Sequence, residues 1–110
     1  MRIMNDDLLN GVAFTLNTNY TGDTQTMEHL IGCAIQLVWT GTPAGTFKLQ
    51  ASLDKTNWAD VPSMTQAAGG AAGNLLWNVV DLMSPWVRVT YTFTSSTGTL
   101  TVARMNSKGI

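Results

Sequence analysis

Few residues in this chain carry reactive side chains, and they are scattered. His29 and Cys33 share one parity of an alternating apolar stretch, with Glu28 on the opposite parity. Same-face strand residues four apart stand about 13 Å apart, too far for a Cys–His nucleophile pair, and a catalytic zinc needs three protein ligands. Cys33 therefore reads as a small core residue and His29 as an edge or rim residue. Asp54 and Asp60 are of the type used as paired acid and base, but a hairpin turn and its return strand account for both. Asp6, Asp7 and Asp23 lack calcium-loop spacing. The segment AAGGAAG, from Ala67 to Gly73, has the glycines of a phosphate cradle without the following Lys and Ser/Thr or a helix to aim. It reads as a flexible loop. Asn19-Tyr20-Thr21 matches a glycosylation sequon by chance, since no secretion signal is expected. No nucleophile, base and orienting group converge, so neither an enzyme nor a metal or cofactor site is expected.

The elements that position these residues are strands, because apolar residues recur at period two and not at 3.6. Val12, Phe14 and Leu16 alternate in a first strand. From Met27 to Thr40, Ile31, Cys33, Ile35, Leu37 and Trp39 share the core face. Thr42-Pro43-Ala44-Gly45 is a turn, after which Phe47, Leu49, Ala51 and Leu53 alternate with Lys48, Gln50, Ser52 and Asp54. Asp54 to Asn57 closes a hairpin onto a short strand from Trp58 to Val61, which Pro62 should end. Leu75 to Leu82 follows, then a strand through Val87, Val89, Tyr91 and Phe93, which should turn at Ser95 to Gly98 into a final hairpin with Leu100 and Val102. Seven or eight short strands at a spacing of about ten residues predict an all-β antiparallel sandwich. The Cys…Trp…Cys pattern of immunoglobulin domains is absent, which favours a jelly roll.

Composition sets the surface. The 110 residues make one domain spanning 1–110, with 45% apolar residues and four Trp to fill a core. Charged residues are only 12%, and six basic against seven acidic residues give a net charge of -1. That balance lacks the electrostatic footprint of a nucleic-acid binder and of a polybasic membrane anchor. No apolar run approaches the roughly 18 residues of a membrane span. The opening residues, Met1-Arg2-Ile3-Met4-Asn5-Asp6-Asp7, lack a signal-peptide apolar region. The single cysteine rules out an internal disulfide.

Partner contact is the remaining role for unusual side chains. Trp39 and Tyr91 fall on core parity. Trp86 has the opposite parity to its strand's core face, and Trp77 lies in a segment apolar on both faces, so both are candidates for an inter-subunit surface. Tyr20 joins them. Two terminal segments, 1–9 and 105–110, combine Met, Ile and Leu with little alternation, as in arms that order on docking. They add Met1, Ile3, Met4, Leu8, Met105 and Ile110. Thr90, Thr92, Thr94, Thr99 and Thr101 should form a flat outward face on the last hairpin, suited to protein contact.

Two stretches, GTFKLQASLDKTNWADV (Gly45 to Val61) and SPWVRVTYTFTSSTGTLTVARMNSKG (Ser84 to Gly109), resemble small all-β virion proteins of tailed bacteriophages, including capsid decoration (cement) and tail-associated proteins. The first stretch, with Ser52-x-Asp54-x-x-x-Trp58, is also similar to the hairpin of discoidin and galactose-binding jelly rolls, and Val87-Arg88-Val89 to their arginine-bearing strand. Those modules bind through loops rich in aromatics and arginine, whereas the loops here are Gly, Ala, Thr and Ser. The resemblance therefore implies a non-enzymatic virion protein that decorates the capsid and bridges subunits of the major capsid protein or other virion proteins. It implies a homo-oligomer, for which a trimer is plausible, assembled in the host cytoplasm. The alternative is a tail, neck or spike module, with carbohydrate as a less favoured ligand.

Overall fold

Period-two alternation becomes two facing sheets. A computed structural model describes residues 3–7, 13–22, 24–26, 30–80 and 85–109, with side chains described at 13–22, 24, 25, 32–79 and 85–106. Among the described residues the strands are β1 (Ile3–Asp7), β2 (Phe14–Thr15), β3 (Tyr20–Thr21), β4 (Gln25–Thr26), β5 (Leu30–Gly41), β6 (Thr46–Ser52), β7 (Ala59–Ala67), β8 (Gly73–Val80), β9 (Trp86–Thr92) and β10 (Gly98–Gly109). Sheet A runs β1-β10-β5-β8, with β2 also on β10; sheet B runs β3-β9-β6-β7, with β4 also on β9. Every pairing is antiparallel.

The two-residue strands prolong their neighbours. Along β10, β1 pairs from Lys108 down to Arg104 and β2 continues at Leu100 and Thr99. Along β9, β3 pairs with Tyr91 and Thr90 and β4 with Val87 and Trp86. Taking each interrupted pair as one strand leaves four per sheet and eight in all, in chain order 1-8-3-6 and 2-7-4-5. That order is the double Greek key of a jelly roll, so the sandwich and its favoured topology are both as expected, and an immunoglobulin order is excluded.

The core is the inward parity of each long strand. Cys33, Ile35, Leu37 and Trp39 of β5 meet Phe47 and Leu49 of β6, Val87, Val89 and Tyr91 of β9, and Leu100, Ala103 and Met105 of β10. Trp39, Phe47 and Tyr91 form a chain of tilted rings with centroids 4.8 Å apart at each step. Burying a large apolar side chain contributes about 1.5–3 kcal/mol, and Phe47, Leu49, Leu37 and Leu100 are fully enclosed. Burial pushes the Cys33 thiol up to about 11.

Four expectations are corrected. The last two strands do not form a hairpin: β9 belongs to sheet B and β10 to sheet A, because the segment between them crosses from one layer to the other. The threonines divide accordingly, Thr90 and Thr92 on β9 and Thr99 and Thr101 on β10, so no single Thr face exists. Second, Pro62 does not end its strand. β7 continues to Ala67 along the edge of sheet B, with the register shifting between Lys48 and Gln50 and Ser63 at a φ of 66°. An edge bulge tolerates a residue that cannot donate. Third, the AAGGAAG loop is anchored. Ala68 N–H donates to the Gly45 carbonyl (2.9 Å), Gly70 N–H to Pro43 (2.8 Å), and Trp39 Nε1–H to Ala71 (2.9 Å). Fourth, the described residues of the terminal segments read as arms lie in paired strands, Ile3 opposite Lys108 through Asp7 opposite Arg104. The alternation missed there is real, since Ala103 and Met105 are buried while Arg104 and Asn106 are exposed.

Candidate functional site

The outer face of sheet B brings together side chains that lie far apart in sequence. Strand alternation sends Phe47 and Leu49 inward and Lys48 and Gln50 outward on β6; on β9 it buries Val87 and Val89 and leaves Trp86, Arg88 and Thr90 half-buried on the other side. Register then sets Gln50 opposite Arg88 on one flank and opposite Asp60 of β7 on the other. The result is a hydrogen-bonded row across three strands. Arg88 Nε donates to Gln50 Oε1 (2.9 Å), Gln50 Nε2 to Asp60 Oδ1 (3.0 Å), and Lys48 Nζ to Asp60 Oδ2 (3.3 Å). The amide of Gln50 and the ammonium of Lys48 hold the Asp60 carboxyl below its ordinary range, so it stays ionised at neutral pH.

Two indoles flank the row. The Arg88 guanidinium lies 4.2 Å from the Trp58 ring centre, and Lys55 Nζ lies 5.8 Å from that of Trp86. The β6–β7 turn places Trp58 and Lys55. Asp54 Oδ1 accepts from the N–H groups of Asn57 (2.8 Å) and Thr56 (2.9 Å) and from the Ser52 hydroxyl (3.0 Å), while Oδ2 accepts from Asn57 Nδ2 (2.8 Å). These donors, the Asn57 N–H first, hold the Asp54 carboxyl well below the usual carboxylate range. Its oxygens are used by its own turn, so Asp54 is a structural residue and no acid. Beside the hairpin an open groove of about 470 Å³ is lined by Ala51, Ser52, Asp54, Asn57, Asp60 and Pro62, among others. The face can stack and hydrogen-bond, and its carboxylates are committed to turn and row. Among the described residues no three His, Cys, Asp or Glu gather as a metal site.

Of the residues nominated from sequence, Trp86 lies on this face, half-buried. Trp77 does not: it is 7% exposed, pairs with Ile35 and faces the core, so the apolar residue that β8 leaves outside is Leu76, 60% exposed. Met105, at 1%, is likewise core and is removed from the contact set. Tyr20 is half-buried on β3, its ring 4.3 Å from that of Phe14. The backbones of Ile3 and Met4 lie in β1, while their side chains, together with Met1, Leu8 and Ile110, lie outside the described residues, as do Val12, Asp23 and His29. Sequence reasoning passed over Arg88, Gln50, Lys48 and Asp60 as contact residues. The signal for the first three was their outward parity, but only the strand order makes them neighbours.

Fold and face together define a jelly-roll β-sandwich with an aromatic and arginine-bearing outer sheet. No protein-family model matches the chain, and no curated protein sequence does. Solved structures that share the fold include three that cover most of this chain. The PBSX exported protein XepA has a TM-score of 0.60 and 16% identity over 92% of this chain, which spans only 38% of that protein's length. The SPBc2 prophage-derived protein YomS has a TM-score of 0.54 and 9% identity over 94% of both chains. PirA has a TM-score of 0.60 and 13% identity, covering 87% of this chain and 91% of its own. At these identities the likeness establishes the fold.

Proposed function

We propose that this chain is a non-enzymatic structural protein of a bacteriophage particle, a decoration protein that docks on the major capsid protein and links neighbouring subunits. The observation that carries the reading is the jelly roll shared from end to end with a prophage-derived protein, 94% of each chain. The outer face of sheet B is the docking surface. Protein-interface hot spots are enriched in Trp, Tyr and Arg, and Trp58, Trp86 and Arg88 stand on this face already held by neighbours. Side chains ordered in advance lose less rotamer freedom on binding. A contact of about 1,600 Å² is the standard for stable association, and repetition over a lattice adds avidity. Mass spectrometry and cryo-electron microscopy of purified particles test the reading. The expected result is many copies of the chain on the shell; particles without it overturn the assignment, and density confined to the tail replaces decoration by a tail role.

A tail or spike module that binds carbohydrate is the second reading, favoured by the same row. Amide, guanidinium and carboxylate groups between two indoles offer donors, acceptors and stacking surface to a sugar ring. Glycan-array binding abolished by Trp86→Ala, with the fold intact, would select this reading, and silence across the array would remove it.

A further inference from the structure

We infer that β8 is the edge through which a second copy of this chain joins sheet A, in an antiparallel two-fold pairing centred on Leu76. The inference rests on sheet geometry and is independent of the phage assignment.

An edge strand presents unpaired N–H and C=O groups, which proteins shield with charges, prolines, bulges or short strands. Three edges of this sandwich carry such devices. β7 has Pro62, the register shift and Ser63 at positive φ. The edge beside β9 consists of two-residue strands, β3 and β4. The edge beside β10 consists of β1, which carries Asp6 and Asp7 in five residues, and the two-residue β2. β8 has none of these. Its eight residues, GNLLWNVV, include no charge and no proline, and it pairs with β5 without a register shift. Among the described residues no strand occupies its other side. It also carries Leu76, one of two large apolar residues that are strongly exposed among those described.

Self-complementarity identifies the occupant as a second copy. Residues directly opposite in a ladder share a face, and the outward row of β8 reads Asn74, Leu76, Asn78. With Leu76 on the two-fold axis it meets the partner's Leu76, and Asn74 meets the partner's Asn78. Amide side chains both donate and accept, so each Asn pair is self-matching, and a strand without charge meets its own copy without repulsion. On the inner face Leu75 meets the partner's Trp77, apolar against apolar. The isologous contact merges two five-stranded sheets into one continuous sheet.

Light scattering after size exclusion tests the pairing on the full chain. Over a concentration series the wild type is expected to reach twice the single-chain mass of 11.9 kDa, and Leu76→Lys to return to that mass with unchanged circular dichroism. Leu76→Cys supplies a test that does not depend on the lysine variant folding. Opposite residues in an antiparallel ladder have Cα atoms about 4.5–5.5 Å apart, within disulfide range. Oxidised glutathione, which takes up the two electrons and two protons released by the thiol pair, is therefore expected to link two copies of Leu76→Cys. Leu53→Cys, at a hairpin position 74% exposed, is the control and stays unlinked, while buried Cys33 takes no part. A wild type that stays at the single-chain mass, a stable trimer, a dimer that survives Leu76→Lys, or equal linking of the two cysteine variants overturns the inference.

Discussion

The guanidinium of Arg88 packs over the indole of Trp58 at 4.2 Å while its Nε donates to Gln50. One side chain thereby ties β9 to β6 and to the residue that leads into β7. A cation over an aromatic ring contributes about 0.5–1 kcal/mol when exposed and more when desolvated. A double-mutant cycle of Arg88→Ala and Trp58→Ala is expected to return a coupling of about 0.5–1 kcal/mol by urea denaturation. Arg88→Lys should lose most of it, because an ammonium lacks the planar stack.

Tyr91 offers a second test. Its hydroxyl accepts from the buried N–H of Gly45 at 2.8 Å, so Tyr91→Phe leaves that donor unsatisfied at a cost of about 1–3 kcal/mol. Gly45→Ala should be worse, since a β-carbon there would run into the Thr92 carbonyl and the Tyr91 ring. Thermal melts of the two variants check the order.

Acid should weaken the hairpin. Asp54 and Asp60 both titrate below their ordinary range in the folded chain, so between the folded value and the unfolded value of about 3.9 the unfolded chain binds more protons. Their contribution is complete above that unfolded value and is lost as pH falls through the folded one. Asp54→Asn and Asp60→Asn are expected to flatten the acid limb of a stability–pH curve. The Asp60 effect should be the more salt-sensitive, because its exposed ion pair with Lys48 is screened.

Alkali acts through Cys33. Its thiol is raised from 9.0 to about 11, so the folded chain holds the proton more tightly. The associated stability is present below the unfolded value and declines as pH rises from about 9 to 11. Cys33→Ala should remove that decline. In the wild type a thiol reagent at pH 8 should react only after denaturant is added, which an absorbance assay follows.

The sequence carried the side-chain faces and not the neighbours. Alternation identified Ile35, Leu37, Trp39, Phe47, Leu49, Val87, Val89 and Tyr91 as core, and all are buried, because parity is a local property of a strand. Parity was silent where both faces are apolar. In β8 it could not choose between Leu76 and Trp77, which is settled by Trp77 sharing a face with its partner Ile35. The row of Arg88, Gln50 and Asp60 was illegible for a different reason. It needs β6 to lie between β7 and β9; the turn from Asp54 to Asn57 encodes the pairing with β7, but no local pattern encodes the one with β9.

The place of β10 has a consequence for how the chain is made. Among the described strands it comes last in chain order, yet it lies inside sheet A, between β1 and β5. Sheet B can assemble from segments that all precede it, whereas β5 must wait with one flank open. Closing contacts between distant segments is slow and leaves unpaired edges exposed in the meantime. A nascent chain that ends before Gly98 therefore lacks the strand that joins β1 to β5, and Leu100, Ala103 and Met105 are missing from its core.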